Sequence, residues 1–329
     1  MTPSLPYRDL SAYLREQFGT RVQKITLDAG LTCPNRDGTL GTGGCLYCND
    51  RGSGTGAFRR GLSITDQLRE GMSRLARRYG ARKFIAYFQS FSNTYAEVSR
   101  LAALYDEALA FPEVVGLSLG TRPDCLSPEI LDLLAGYARS RLLWLELGLQ
   151  SAHDDTLKRI RRGHDVACFT RAVTAAAARG LMVVAHIILG LPGEGPEHLH
   201  HTARYLAGLP LQGVKIHLLY IIRGTPLEDL YRQGAYEPLT EEAYISLTAD
   251  VLELLPPHLV IHRLTGDPHP EELVAPEWCR HKNRVLQGIR MELARRGSRQ
   301  GSRRPSGLPP DPNLTGNLIP KPYEKQTMG

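Results

Sequence analysis

Cys33, Cys45 and Cys48 lie in one glycine-rich stretch, L-T-C-P-N-R-D-G-T-L-G-T-G-G-C-L-Y-C-N, which places three thiols within sixteen residues. No fourth cysteine is near. Iron–sulfur clusters are usually held by four thiolates, so a three-thiolate loop would leave one iron of a four-iron cluster open to a ligand that is not protein. A structural zinc ion would instead want four closed ligands. A second C-x2-C pair is absent and the first histidine of the chain is His153, so Asp28, Asp37 or Asp50 would have to complete the set. A disulfide is the third reading. The first residues, T-P-S-L-P-Y-R-D, carry no apolar signal segment, which points to a reducing, cytoplasmic setting where clustered cysteines bind metals or catalyse. Gly41, Gly43 and Gly44 would let the loop wrap closely around a bound group, because glycine adopts backbone angles that other residues avoid.

Further along the chain, Glu146 is set inside the apolar run L-L-W-L-E-L-G-L-Q. A carboxylate there is costly unless paired, which favours a place lining an interior site. Lys215 and His217 alternate with apolar residues and so share one face of a strand. They are candidates for substrate or cofactor contact, as are His262 and Arg263 with Asp267. Cys125, Cys168 and Cys279 read as structural, and His198, His200 and His201 as a solvated helix face.

These groups need a frame. Short apolar runs at 22–27, 83–89, 114–119, 142–149, 181–189 and 214–222 read as strands. Helical patterns at 64–79, 95–110, 128–139, 155–161, 166–179 and 197–207 alternate with them. Ser63, Asn93, Ser127 and Asp165 precede helical runs as candidate caps. The alternation predicts an α/β fold with a parallel sheet: a partial (β/α)6 TIM-like barrel, with a doubly wound sheet as the alternative. In a parallel barrel the loops after the strands build the site, so the cysteine loop and the strand ends at Gln89, Gly120, Gln150, Gly190 and Arg223 should converge. Helices at 228–233 and 240–255, an apolar run at 259–264 and a basic amphipathic helix at 278–296 complete a C-terminal helical extension. The expected organisation is a barrel core over 1–225, the extension over 226–297, and a Gly/Ser/Arg/Pro-rich disordered basic tail over 298–329.

Composition bounds the partners. The 329 residues are 42% hydrophobic, enough for a large core, and no apolar run reaches membrane-span length. Net charge is +6, and 276–329 holds eleven Lys or Arg against four Asp or Glu, so the excess belongs to the C-terminal segment. A basic segment of this kind is the footprint of a polyanion binder, or a solvated tail.

The segments G-L-T-C-P-N-R-D-G-T, Y-F-Q-S-F-S-N-T-Y, G-T-R-P-D-C-L, L-E-L-G-L-Q-S, H-I-I-L-G-L-P-G-E and H-R-L-T-G-D, in this order, resemble the YhcC-like branch of the radical S-adenosylmethionine (SAM) superfamily. That branch is related to the elongator catalytic subunit and to oxygen-independent coproporphyrinogen oxidase, and the likeness runs from about Tyr7 to about Gly297. The resemblance implies a 4Fe–4S cluster on Cys33, Cys45 and Cys48, with Tyr47 beside it. It also implies reductive cleavage of SAM to a 5′-deoxyadenosyl radical, and an electron donor such as flavodoxin or ferredoxin. SAM contacts carried over by motif are Gln89 and Ser90 after the second strand, Gln150 toward the ribose and Arg162 toward the carboxylate. His186 stands where relatives have a ribose-binding aspartate, and the turn at Gly190 and Pro192 would pass near adenine. Glu194 could be catalytic or a helix cap. The stretch after the second strand lacks the glycines that relatives place there. The implied activity is modification of RNA, at a tRNA wobble uridine, with Phe88, Phe91, Tyr95 and Tyr220 as aromatic planes near the barrel mouth. The alternatives are a radical SAM enzyme for a small molecule or peptide, and a zinc-stabilised nucleic-acid-binding protein with no activity.

Overall fold

The computed structural model describes residues 5–52 and 56–304. Its helices are α1 (Leu10–Phe18), α2 (Ile64–Tyr79), α3 (Val98–Leu109), α4 (Pro128–Ala138), α5 (Asp154–Arg159), α6 (Val166–Ala177), α7 (Pro196–Ala207), α8 (Pro226–Arg232), α9 (Glu241–Leu254) and α10 (Lys282–Arg295). Its strands are β1 (Val22–Leu27), β2 (Lys83–Phe88), β3 (Val114–Thr121), β4 (Leu142–Gln150), β5 (Met182–Leu189), β6 (Gly213–Leu218), β7 (Ile221–Ile222), β8 (Val260–Arg263) and β9 (Leu273–Ala275). Seven strands form one sheet in the order β1-β2-β3-β4-β5-β6-β8, every neighbouring pair parallel. A consecutive order is that of a barrel wall, because a doubly wound sheet reverses direction at a switch point. β1 and β8 do not pair. The N-terminal segment spans the gap instead, with Asp9 bridging to Ile261 and the Ile261 amide donating to the Arg8 carbonyl.

Alternation along each strand sorts side chains into two environments. Ile25, Leu27, Phe88, Leu117, Leu145, Leu147, Val183 and Ile187 face outward into the main core, against the helices. The inward positions form layers. At the bottom, Val22, Ile85, Leu142, Trp144, Met182 and Val184 pack with Leu14 of α1, so this helix closes the barrel floor. Above that apolar plug, the inward residues turn polar. A third cluster of Leu46, Leu157, Ile160, Ile188, Leu191, Leu219, Ile221 and Leu227 clamps the cysteine loop to α5, β7 and α8.

Several boundaries differ from the sequence reading. The run at 259–264 is not part of an appended extension; it supplies β8 as the seventh strand of the sheet, so the wall is wider than six units. The run at 214–222 is two strands, and the second, β7, leaves the sheet to pair antiparallel with β9, which the sequence reading lacks. The barrel strand therefore ends at Leu218, and Arg223 is not at a barrel strand end. Asn93 caps no helix: its amide donates to the Gly120 carbonyl, and α3 begins five residues later after Glu97. Ser63, Ser127 and Asp165 do cap their helices. The basic helix splits at His281 into a 3-10 turn over Glu277–Arg280 and α10.

The tail expected from 298 onward begins as ordered chain. Gln300 is buried, its amide donating to the Pro256 and Leu259 carbonyls and its oxygen accepting from the Arg8 amide. Ser298 and Arg303 bind Glu253. Residues 305–329 of that expected tail lie outside the described residues.

Candidate active site

The cysteine loop follows β1 and is tied down through Leu46 on both sides of its peptide. The Leu46 amide donates to the Ile160 carbonyl, and the Leu46 carbonyl accepts from the Leu227 amide, each at 3.0 Å. The buried Asn35 amide group spans the gap, donating to the Arg161 carbonyl at 2.8 Å and reaching the Cys45 sulfur at 3.7 Å. Of the three loop glycines singled out in the sequence, Gly44 alone takes a left-handed φ, +70°. A Cβ there would lie 2.9 Å from the Arg36 guanidinium, which donates to the Cys48 and Asn49 carbonyls.

Cys33, Cys45 and Cys48 are free thiols at one end of a cavity of about 550 Å³. Tyr47, Gln89, Gln150, Arg162, His186, Glu146, Lys215 and His217 wall the same cavity, so most of the sequence-predicted set converges. Burial, then repulsion from the neighbouring Cys45, pushes the Cys48 thiol up to about 11. A cationic metal group relieves that repulsion. The donor set matches such a group: Arg162 reaches the Cys45 sulfur at 3.6 Å, and its Nε is buried without a partner, as is the Tyr47 hydroxyl. Among the described residues no three His, Cys, Asp or Glu side chains come together as ligands of a single ion.

Arg162 is buried and fixed. Its second terminal nitrogen donates to the Gly148 carbonyl at 2.9 Å. Burial opposes its charge, but Tyr47 and Cys45 overcome that and raise its pKa. Gly148 is where the wall thins: a Cβ there would stand 2.4 Å from Arg162 and 2.6 Å from the Gln150 amide. Gln150 itself has φ +77°, after a register shift in the β4–β5 ladder. A non-glycine residue in this region stores roughly 1–3 kcal/mol of strain, a feature of sites whose side chains must be aimed. Phe91 does the same at +59°, taking the left-handed turn that glycines would serve in the loop after β2.

Below the cysteines the inward layer is a charged network. Glu146, fully buried, accepts from Lys24 at 2.5 Å, Lys215 at 3.0 Å, His186 at 2.7 Å and the Ser118 hydroxyl. Lys215 also donates to the Tyr87 hydroxyl at 2.6 Å. Burial raises the Glu146 pKa, but Lys215, Lys24 and His186 outweigh it and hold the carboxyl well below its ordinary value. Burial, opposed by Glu146 and reinforced by Arg263 and Lys24, lowers Lys215 to about 7. Burial and Lys215 lower His186 to about 4, while burial and Arg263 hold His217 far below its ordinary value.

Several other residues singled out in the sequence lie elsewhere. Gly190 and Pro192 do not wall the cavity; their carbonyls accept from the Tyr236 hydroxyl and Arg159. Ser90 lies behind the wall, buried with its hydroxyl unpartnered. Glu194 bonds Ser151, away from the cavity. Asp267, like Arg263, walls the cavity, and it pairs with Lys282. His200 packs against Asp250, and His153 stacks between His198 and His201, so that helix face is not simply solvated. The C-terminal cations are largely spent internally: Arg280, Lys282, Arg284, Arg295, Arg296 and Arg303 each pair with an acid. Lys24, Tyr87, Ser118 and Asn35 were missed, although Lys24 carries the signal that exposed Glu146, a charge inside a strand of apolar alternation.

A parallel half-barrel with three thiols after its first strand and a buried polar lumen defines a class of cofactor-dependent barrel proteins. The family model described as the Radical SAM superfamily matches residues 37–206, and the Radical_SAM C-terminal domain matches residues 211–295. The chain belongs to the radical SAM superfamily. It is 42% identical over 295 residues to the uncharacterized protein YtqA of Bacillus subtilis, covering 90% of this chain and 92% of that one. It is 39% identical over 270 residues to Protein YhcC of Escherichia coli, covering 82% and 86%. A shorter match, 32% identical over 156 residues, joins 46% of this chain to 33% of a tRNA uridine(34) acetyltransferase of Dehalococcoides mccartyi. Among solved structures, archaeal Elp3 from Methanocaldococcus infernus superposes with a TM-score of 0.66 at 19% identity, covering 85% of this chain and 64% of that one. Among the described residues no helix is long and apolar enough to cross a membrane.

Proposed function

We propose that the chain is a radical SAM enzyme in which Cys33, Cys45 and Cys48 hold a 4Fe–4S cluster and the adjoining cavity takes SAM and substrate. The observation that carries this is the cavity itself, with three free thiols at one end and a buried acid–base network at the other. When bound together, cluster and SAM supply one-electron chemistry through a 5′-deoxyadenosyl radical. The protein's own part is binding, orientation and exclusion of water. Arg162, charged and immobile, is suited to a carboxylate through its planar fork. Gln150 is held by backbone strain where it can meet a ribose hydroxyl. Asn35 and Arg162 direct N–H groups at the Cys45 sulfur. Tyr87 and the lowered Lys215 form a hydrogen-bonded pair that can pass a proton at the cavity floor.

The substrate in this reading is RNA, at a wobble uridine. Its support is the kinship with a protein named tRNA uridine(34) acetyltransferase, and this chain spans about a third of that protein. The C-terminal basic segment supports it less than its composition suggests, because six of its described cations are paired with acids. That pairing favours a second reading, a small molecule or peptide held in the lumen. Mass analysis of nucleosides from tRNA incubated anaerobically with reconstituted protein, SAM and dithionite tests the choice. A SAM-dependent mass change at the wobble uridine is expected; SAM cleavage with tRNA unbound and unchanged overturns the RNA substrate.

A further inference from the structure

The cavity wall carries four arginines, and three are engaged. Arg36 holds the Cys48 and Asn49 carbonyls, Arg122 pairs with Asp124 at 2.7 Å, and Arg162 holds Cys45 and Gly148. The side chain of Arg263, at the end of β8, makes no hydrogen bond or ion pair among the described residues, while its backbone pairs with Lys215 in the sheet. The wall's carboxylates are committed elsewhere. Asp267 is bound by Lys282 at 3.2 Å, and Glu272 by Arg51 at 2.9 Å and Asn49 at 3.1 Å. Glu146 alone faces two lysines. The lumen below the cysteines therefore holds Lys24, Lys215 and Arg263 against one carboxylate, with His186 and His217 neutral beside them.

Excess positive charge in a half-buried cavity is costly and persists where a ligand supplies the counter-charge. In β6–β8 pairing Arg263 is the register partner of Lys215, and both residues wall the cavity. Burial lowers Lys215 and His217, and the nearby Arg263 adds to it as one cation beside another. We infer that Arg263, with Lys215, forms an oxyanion subsite that binds a phosphate or carboxylate of the substrate, separate from the Arg162 position at the cysteine end. This rests on the radical SAM reading and deepens it. A nucleotide would present its phosphate there; a small acid would present its carboxylate. A guanidinium fork matches either geometry.

The test is calorimetric titration of anaerobically reconstituted protein, with SAM bound, using three probes: uridine 5′-monophosphate, uridine and succinate. An anionic probe should bind at least about tenfold more tightly than uridine. Arg263→Gln should lose about 10- to 100-fold in that affinity, the range for a charge-assisted hydrogen bond, and Arg263→Lys should recover part of it. Tighter binding of the nucleotide identifies a phosphate, and tighter binding of succinate a carboxylate. Because Arg263 has no partner to strand, Arg263→Gln should melt with wild type, which separates loss of binding from loss of fold. Iron content and SAM affinity, measured on the same samples, report on the radical SAM reading independently. The subsite is overturned if no anion binds the wild type, if anions and uridine bind alike, or if Arg263→Gln keeps full affinity. It is equally overturned if Arg263→Gln weakens SAM instead, since Arg263 would then serve the cofactor.

Discussion

Replacing Glu146 by Gln removes the one negative charge that holds the lumen network together. The side chain keeps its size and can still accept from Ser118, so the loss is electrostatic. Lys24, Lys215 and His186 lose their common acceptor. Removing one partner of a buried ion pair costs about 3–5 kcal/mol, because the other charge stays stranded. Two features place this case at the lower end. Lys24 keeps 16% of its side-chain surface exposed and can rehydrate, and Lys215, lowered to about 7, can shed its proton. About 3 kcal/mol is expected, near 6 °C in melting temperature for a domain of this size, at about 2 °C per kcal/mol. The assay is thermal unfolding by circular dichroism under anaerobic conditions, run as a double-mutant cycle with Lys215→Met. Removing both charges should cost about 1–2 kcal/mol less than the sum of the single losses. A Glu146→Gln melt at the wild-type temperature, or strict additivity in the double variant, would refute the network as the organiser of the lumen.

Three further outcomes follow from the geometry. Gly148→Ala should leave iron content intact while weakening SAM about tenfold or more, because the new methyl group collides with Arg162 and Gln150; unchanged SAM affinity by calorimetry would sink the assignment of those two side chains. Burial and Lys215 lower His186 to about 4, so between pH 6.5 and pH 4 the unfolded chain takes up a proton that the folded chain refuses. Stability should therefore fall as pH drops through that window, by about 1–2 kcal/mol at pH 5, and His186→Gln should flatten the slope; parallel melting curves for the two proteins would contradict this. Gln300→Ala should cost about 2–3 kcal/mol, since it strands the Arg8 amide and two buried carbonyls, and a melt within 1 °C of wild type would show that Gln300 does not anchor the N-terminal segment.

Much of this was legible in the chain. The spacing of Cys33, Cys45 and Cys48 and the alternation of apolar runs carry the barrel and the cysteine end of the cavity, because both depend on local pattern. Glu146 and Lys215 were visible as charges inside apolar strands. Lys24 is equally visible in V-Q-K-I-T-L but is not singled out by the sequence reading, since nothing local says that β1 meets β4 across the lumen. Pairing of the C-terminal arginines with Asp250, Glu241 and Glu253 was hidden for the same reason: the partners lie some forty to fifty residues away, and composition counts charge without locating its counter-charge. The split of 214–222 into β6 and β7 depends on β9, a three-residue strand too short to announce itself. Gly190 and Pro192 were placed by motif alone, and the fold turns their carbonyls toward Tyr236 and Arg159.

The central claim is a three-cysteine cluster that cleaves SAM. Its most direct test is iron and sulfide quantitation with 5′-deoxyadenosine release under dithionite, on anaerobically reconstituted wild type and on Cys33→Ala, Cys45→Ala and Cys48→Ala. The account predicts about four irons per wild-type chain with SAM cleaved, and loss of both in each variant. Full iron content in any one of the three variants, or zinc in place of iron with SAM intact, would contradict it.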